Sequence, residues 1–141
     1  MNGSANRSPR ADPKDRQRIE QVGTAIVDSA IHVHRVLGPG LLESAYQACF
    51  GYHLRRLGLD VRTEVHVPVV YERLKVDVGY RIDMLVEDSV VVENKAVERL
   101  LPVHASQILT YLGLGGYRLG YLLNWNVRLM KFGINRFVLG L

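Results

Sequence analysis

The chain has 141 residues, 48% of them apolar, with a formal net charge of +4, so it is long enough to bury the core of one globular domain without staples. No run of eighteen apolar residues occurs and the polar N-terminus lacks a signal-peptide core, so no spanning helix is expected and the cytoplasm is the default location. A single cysteine, Cys49, excludes an internal disulfide and a zinc site built on several thiolates.

Residues 1–13 are polar and aperiodic and are expected to form a disordered tail, with one domain over residues 14–141. From Pro13 to about Leu37 apolar residues return at three- and four-residue steps (Ile19, Val22, Ile26, Ala30, Val33, Leu37), which predicts an amphipathic helix. Gly38-Pro39-Gly40 ends it. A second helix is predicted from Leu41 to about Leu57, with Leu42, Ala45, Cys49 and Leu54 on its apolar side and Cys49 buried as an inert thiol. The period then changes to two. Val61, Thr63, Val65, Val67 and Val69 alternate with polar partners, as in a half-buried strand. A turn over Tyr71–Lys75 leads to a strand from about Val76 to Val86, a tight turn at Glu87-Asp88-Ser89, and a strand over Val90–Val97. Pro102 suits the first turn of a helix running to about Leu114, before Gly115-Gly116. Two last strands, Tyr117–Asn124 and Lys131–Leu139, flank a loop at Trp125-Asn126. One sheet with helices packed on it, an α/β fold, is the economical architecture.

The chemistry centres on the hairpin. A turn centred on Asp88 sets Asp83 opposite Glu93, each five residues away. Opposed residues share a face, with Cβ atoms roughly 4.5–5.5 Å apart. Lys95 lies two residues beyond Glu93 and so shares that face. Two carboxylates and an ammonium on one patch suit a hard divalent cation such as Mg²⁺ or Mn²⁺. A solvated hairpin with a chance salt bridge is the plain alternative. The apolar flanks (Ile82, Met84, Leu85, Val86, Val90, Val91, Val92) argue for a central strand pair, where unpaired charges are costly. Downstream, Arg99, Arg118, Arg128, Lys131 and Arg136 are unaccompanied by any acid, a sign pattern that attracts phosphates.

The segment Gly40-Leu-Leu-Glu43-Ser-Ala-Tyr46, after His34-Arg-Val-Leu-Gly-Pro, resembles the signature of the GxxExxY proteins. The likeness continues through Tyr80-Arg-Ile-Asp83, Val92-Glu-Asn-Lys95, His104-Ala-Ser-Gln107 and Leu122-Leu-Asn124, over about residues 24 to 139. That family is assigned to the PD-(D/E)XK, restriction-endonuclease-like superfamily. The resemblance implies an αβββαβ core with a central mixed sheet, plus an extra N-terminal helix. It also implies metal ligands at Asp83 and Glu93, the backbone carbonyl of Asn94, and Glu43 through water. Lys95 matches the lysine of E-x-K and would assist the attacking water. Gln107 and Tyr111 match a Q-x-x-x-Y on the following helix and would position the lysine or the phosphate. Ile82 stands where the superfamily has its variable proline.

The expected function is Mg²⁺- or Mn²⁺-dependent phosphodiester hydrolysis, with nucleic acid as partner, DNA ahead of RNA. The rival is a non-catalytic or weakly active nucleic-acid-binding module that retains the fold. A homodimer could form through the first helix or the apolar C-terminal strand (Phe132, Ile134, Phe137, Leu139).

Overall fold

The computed structural model describes residues 10–141, and the expected N-terminal tail lies outside the described residues as far as residue 9. Helix α1 (Pro13–Leu37) opens where the Asp12 side chain accepts from the backbone N–H groups of Lys14 and Asp15, each at 3.0 Å. Its stripe of Ile19, Val22, Ile26, Ala30 and Val33 is buried, the face that the periodicity indicates. No helix among the described residues is long and apolar enough to cross a membrane.

Helix α2 (Glu43–Arg56) buries Tyr46, Phe50 and Leu54. The expected face is corrected here: Leu42 is 77% exposed and Cys49 is exposed as well. Two aromatic rings at positions i and i+4 remove more apolar area from water than a leucine and a cysteine would, and they set the helix rotation. Tyr46 also closes the loop between the helices. Its hydroxyl donates to the Gly38 carbonyl at 2.5 Å and accepts from the Leu41 N–H at 3.1 Å.

The strands are β1 (Val61–His66), β2 (Val69–Tyr71), β3 (Leu74–Val76), β4 (Arg81–Val86), β5 (Val90–Lys95), β6 (Leu119–Asn124) and β7 (Ile134–Val138). Helix α3 (Pro102–Gly115) separates β5 from β6. The main sheet has the order β1-β4-β5-β6-β7. Among the described residues only β5 and β6 pair in parallel, and α3 is the crossover that parallel pairing requires. Elements α2, β1, β4, β5, α3 and β6 give the αβββαβ core of a restriction-endonuclease-like fold, with α1 and β7 added. A small β2–β3 hairpin replaces the expected single turn, and the expected strand over Val76–Val86 is broken after Val76. Left-handed Glu72 (φ 54°) reverses the chain inside the hairpin, and Gly79 (φ 79°) interrupts the approach to β4.

Helices α1 and α2 cover one face of the sheet, over Met84, Val86, Val90, Val92, Leu119 and Leu123. Helix α3 covers the other, over Ile82, Leu85, Val91 and Leu122. Burial on both faces explains the unbroken apolar run of β4 and β5. One departure from strict alternation positions the site. Val61 packs under α1 and α2, whereas Val65 and Val67 pack on the α3 side. On β4, Met84 and Ile82 divide in the same way. The β1–β4 register skips the one pair lying between these changes, Glu64 and Asp83, and Glu64 is left-handed (φ 54°). The expected single face of Val61 to Val69 is therefore corrected, because a left-handed residue within a strand rotates everything beyond it.

Replacing Tyr46 by Phe is expected to cost about 1–2 kcal/mol, because one N–H and one carbonyl lose their partner. Urea unfolding measures this, and an unchanged midpoint would show that the hydroxyl does not hold the loop.

Candidate functional site

Strands β4 and β5 meet around a turn in which Glu87 (φ 53°) and Asp88 (φ 50°) are both left-handed, closed by the Ser89 N–H on the Val86 carbonyl at 3.1 Å. Backbone pairing runs from Val86↔Val90 to Met84↔Val92 and then stops. Beyond it, side chains replace the ladder. The Asp83 N–H donates to Glu93 Oε1 at 3.0 Å, and the Asn94 N–H donates to Asp83 Oδ2 at 2.8 Å. Each carboxylate thus holds the opposite strand by one oxygen. The two carboxyl groups also lie within hydrogen-bonding reach of one another, which helps to raise Glu93.

Two carboxylates this close, with Glu93 only 4% exposed, cannot both ionise cheaply. Burial first, then the charge of Asp83, pushes the Glu93 carboxyl up to about 8. Burial also raises Asp83, opposed by the hydrogen bond from Asn94 and reinforced by the charges of Glu43 and Glu64. Lys95 lowers both carboxyls through its charge. It forms no ion pair within 4.0 Å among the described residues.

Asp83 lies where the strands change face, so it meets two surroundings. On the α2 side it lines a cleft of about 620 Å³ together with Glu43, Gln47 and Glu64. Glu43 is exposed in the first turn of α2, and its negative charge acts on Asp83. On the α3 side, Gln107 Nε2 donates to the Tyr111 hydroxyl at 2.9 Å. Burial and then the charge of Glu93 raise the Tyr111 hydroxyl above its ordinary value, which sets this pair beside Glu93. His104 is a capping residue: its Nδ1 accepts from the Leu101 N–H at 3.0 Å. Among the described residues no three His, Cys, Asp or Glu side chains gather as a metal cage.

Sequence reasoning missed the support beneath this site. Gln47 donates to Glu64 at 3.0 Å and accepts from the Asn94 amide at 3.1 Å. Trp125 Nε1 donates to Asn94 Oδ1 at 2.9 Å, and the Trp125 N–H donates to the Lys95 carbonyl at 2.9 Å. Trp125, expected in a loop, is fully buried and stacks on Tyr46 with centroids 5.1 Å apart. The Asn124 amide clamps both backbone groups of Val97, at 3.1 and 2.9 Å. Gln47 carried a signal, since it lies one turn after Glu43 on the same helix face. Glu64 carried none, because nothing local marks a glutamate as left-handed.

Residues 20–137 match the family model of the PD-(D/E)XK nuclease superfamily. The chain belongs to that superfamily. No curated protein and no solved structure matches it. Nucleases of the PD-(D/E)XK superfamily generally use divalent metals.

The raised Glu93 carboxyl has a consequence for stability. The folded state binds its proton more tightly than the unfolded chain, so this contribution is intact below about pH 4.5 and is lost as pH rises to about 8. Melting of chelator-treated protein from pH 5 to 8 is expected to show a decline on the order of a few kcal/mol. Glu93→Gln should flatten that slope; an unchanged slope would show that another group carries it.

Proposed function

We propose that this chain is a Mg²⁺- or Mn²⁺-dependent nuclease of the GxxExxY group that hydrolyses phosphodiester bonds, in DNA ahead of RNA. The mutual clasp of Asp83 and Glu93 carries the reading. It brings two carboxyl groups side by side, hard oxygen donors of the kind that such ions prefer. Glu93 sits where burial and a neighbouring charge demand a counterion or a proton.

Asp83 and Glu93 would hold the ion, with the Asn94 carbonyl completing the shell and Glu43 reaching it through water. When bound, the ion polarises a phosphoryl oxygen and acidifies water. Lys95 orients the attacking water and offsets charge developing at phosphorus. Gln107 and Tyr111, already bonded to one another, position the lysine or the scissile phosphate. In the G-x-x-E-x-x-Y segment the two marked side chains divide the tasks. Tyr46 fixes the loop, and Glu43 borders the cleft.

Calorimetric titration with Mn²⁺ should give saturable binding to wild type and none to Asp83→Ala. Equal binding in both, or none in either, sinks the ion site. Lys95→Ala should keep ion binding while losing about 10²–10³-fold in cleavage rate. Tight DNA binding by wild type without cleavage of single-stranded, duplex or branched substrates would make the chain a non-catalytic module instead. Pairing of two chains is part of the proposal, supported by the exposed Phe132 and Leu139. Light scattering at micromolar concentration should report twice the chain mass, and a monomer rejects the pairing alone.

A further inference from the structure

A second region of the molecule has the chemistry of a ligand site and shares no residue with the carboxylates. The last turns of α1 and the segment after Trp125 line an open cavity of about 500 Å³. That volume is within the roughly 300–1,000 Å³ of small-molecule sites. Ile31, Leu129 and Met130 give it an apolar wall, and Arg35, Arg128 and Lys131 bring three cations to it. Among the described residues no acidic side chain lines it. None of the three cations has an ion-pair partner among the described residues.

His34 lines the same cavity and is only 4% exposed. Its Nε2 is buried with no hydrogen-bond partner among the described residues. Buried polar atoms are rarely left so, and in its Nε2–H tautomer this side chain lacks an acceptor on the cationic cavity it lines. The C-terminus of α1 contributes roughly half a negative charge here. Three full positive charges outweigh it.

We propose that this cavity binds a nucleoside monophosphate unit, either as a free nucleotide or as the phosphorylated end of a strand. Arg35, Arg128 and Lys131 take the phosphate oxygens. Guanidinium groups do so in paired, charge-assisted bonds, and the lysine acts as a point charge. His34 Nε2 adds a hydrogen bond from the interior. The base lies on Ile31, Leu129 and Met130. A bare inorganic anion would leave that wall unused, which is why a nucleotide fits better than phosphate alone. This assignment stands whether or not the carboxylate site cleaves nucleic acid.

The chain has a single tryptophan, and Trp125 lies 6.4 Å from the His34 ring, so its fluorescence reports on the cavity. Full-length protein is titrated in chelator with inorganic phosphate, with dAMP, and with a short oligonucleotide with or without a 5′-phosphate. Saturable binding of dAMP, tighter than that of phosphate, is expected. The double variant Arg128→Glu, Lys131→Glu changes two exposed side chains and should weaken it about tenfold or more. Asp83→Asn should leave it unchanged, which separates this site from the carboxylates. Preference for the 5′-phosphorylated oligonucleotide over dAMP would assign the strand end, and equal or weaker binding of it the free nucleotide. Absence of saturable binding, equal affinity for phosphate and dAMP, or indifference to the double variant would overturn the proposal.

Discussion

At the open end of the β4–β5 hairpin, the Asp83 N–H meets Glu93 and the Asn94 N–H meets Asp83. These two bonds satisfy backbone donors that would otherwise face a missing ladder. They also force two carboxylates together in a largely buried place, which raises both carboxyls. Strand continuity and the raised carboxyls thus rest on the same atoms. Removing either carboxylate would free an amide as well as delete a candidate ligand.

The clasp depends on what fixes Asn94. Its backbone binds Asp83, while its side chain points to the opposite face and is held by Gln47 and Trp125. Trp125 is in turn locked by stacking on Tyr46 and edge contact with Phe50. A chain of packed groups therefore runs from the α1–α2 loop, through Tyr46 and Trp125, to the residue between Glu93 and Lys95. Sites held within a fraction of an ångström need this kind of rigid support. The His34 ring borders Trp125 from the other side, so the cationic cavity and the carboxylates abut one aromatic cluster.

Much of the fold was legible because its signals are local. The three-four spacing from Ile19 to Val33 fixed the buried stripe of α1, and Pro102 with Gly116 bracketed α3. The symmetric spacing about Asp88 put Asp83 across from Glu93, where the Asp83 N–H reaches the Glu93 carboxylate just beyond the end of the ladder. Where ring size competed with periodicity, as on α2, reading by spacing placed Leu54 inside correctly but also buried Leu42 and Cys49, which are exposed. The β2–β3 hairpin was hidden because a glutamate, rather than a glycine, adopts the left-handed turn at Glu72.

By itself the sequence determined the hairpin's centre, the pairing of its two carboxylates, and the helix face shared by Gln107 and Tyr111. These follow from periods of two and 3.6 residues, which act within a single element. Only the tertiary structure decided that β1 and β4 change faces together at Glu64 and Asp83, and that Gln47 and Trp125 converge on Asn94. Contacts between elements distant in the chain arise from packing volume and hydrogen-bond satisfaction across the whole core. No local spacing encodes those sums.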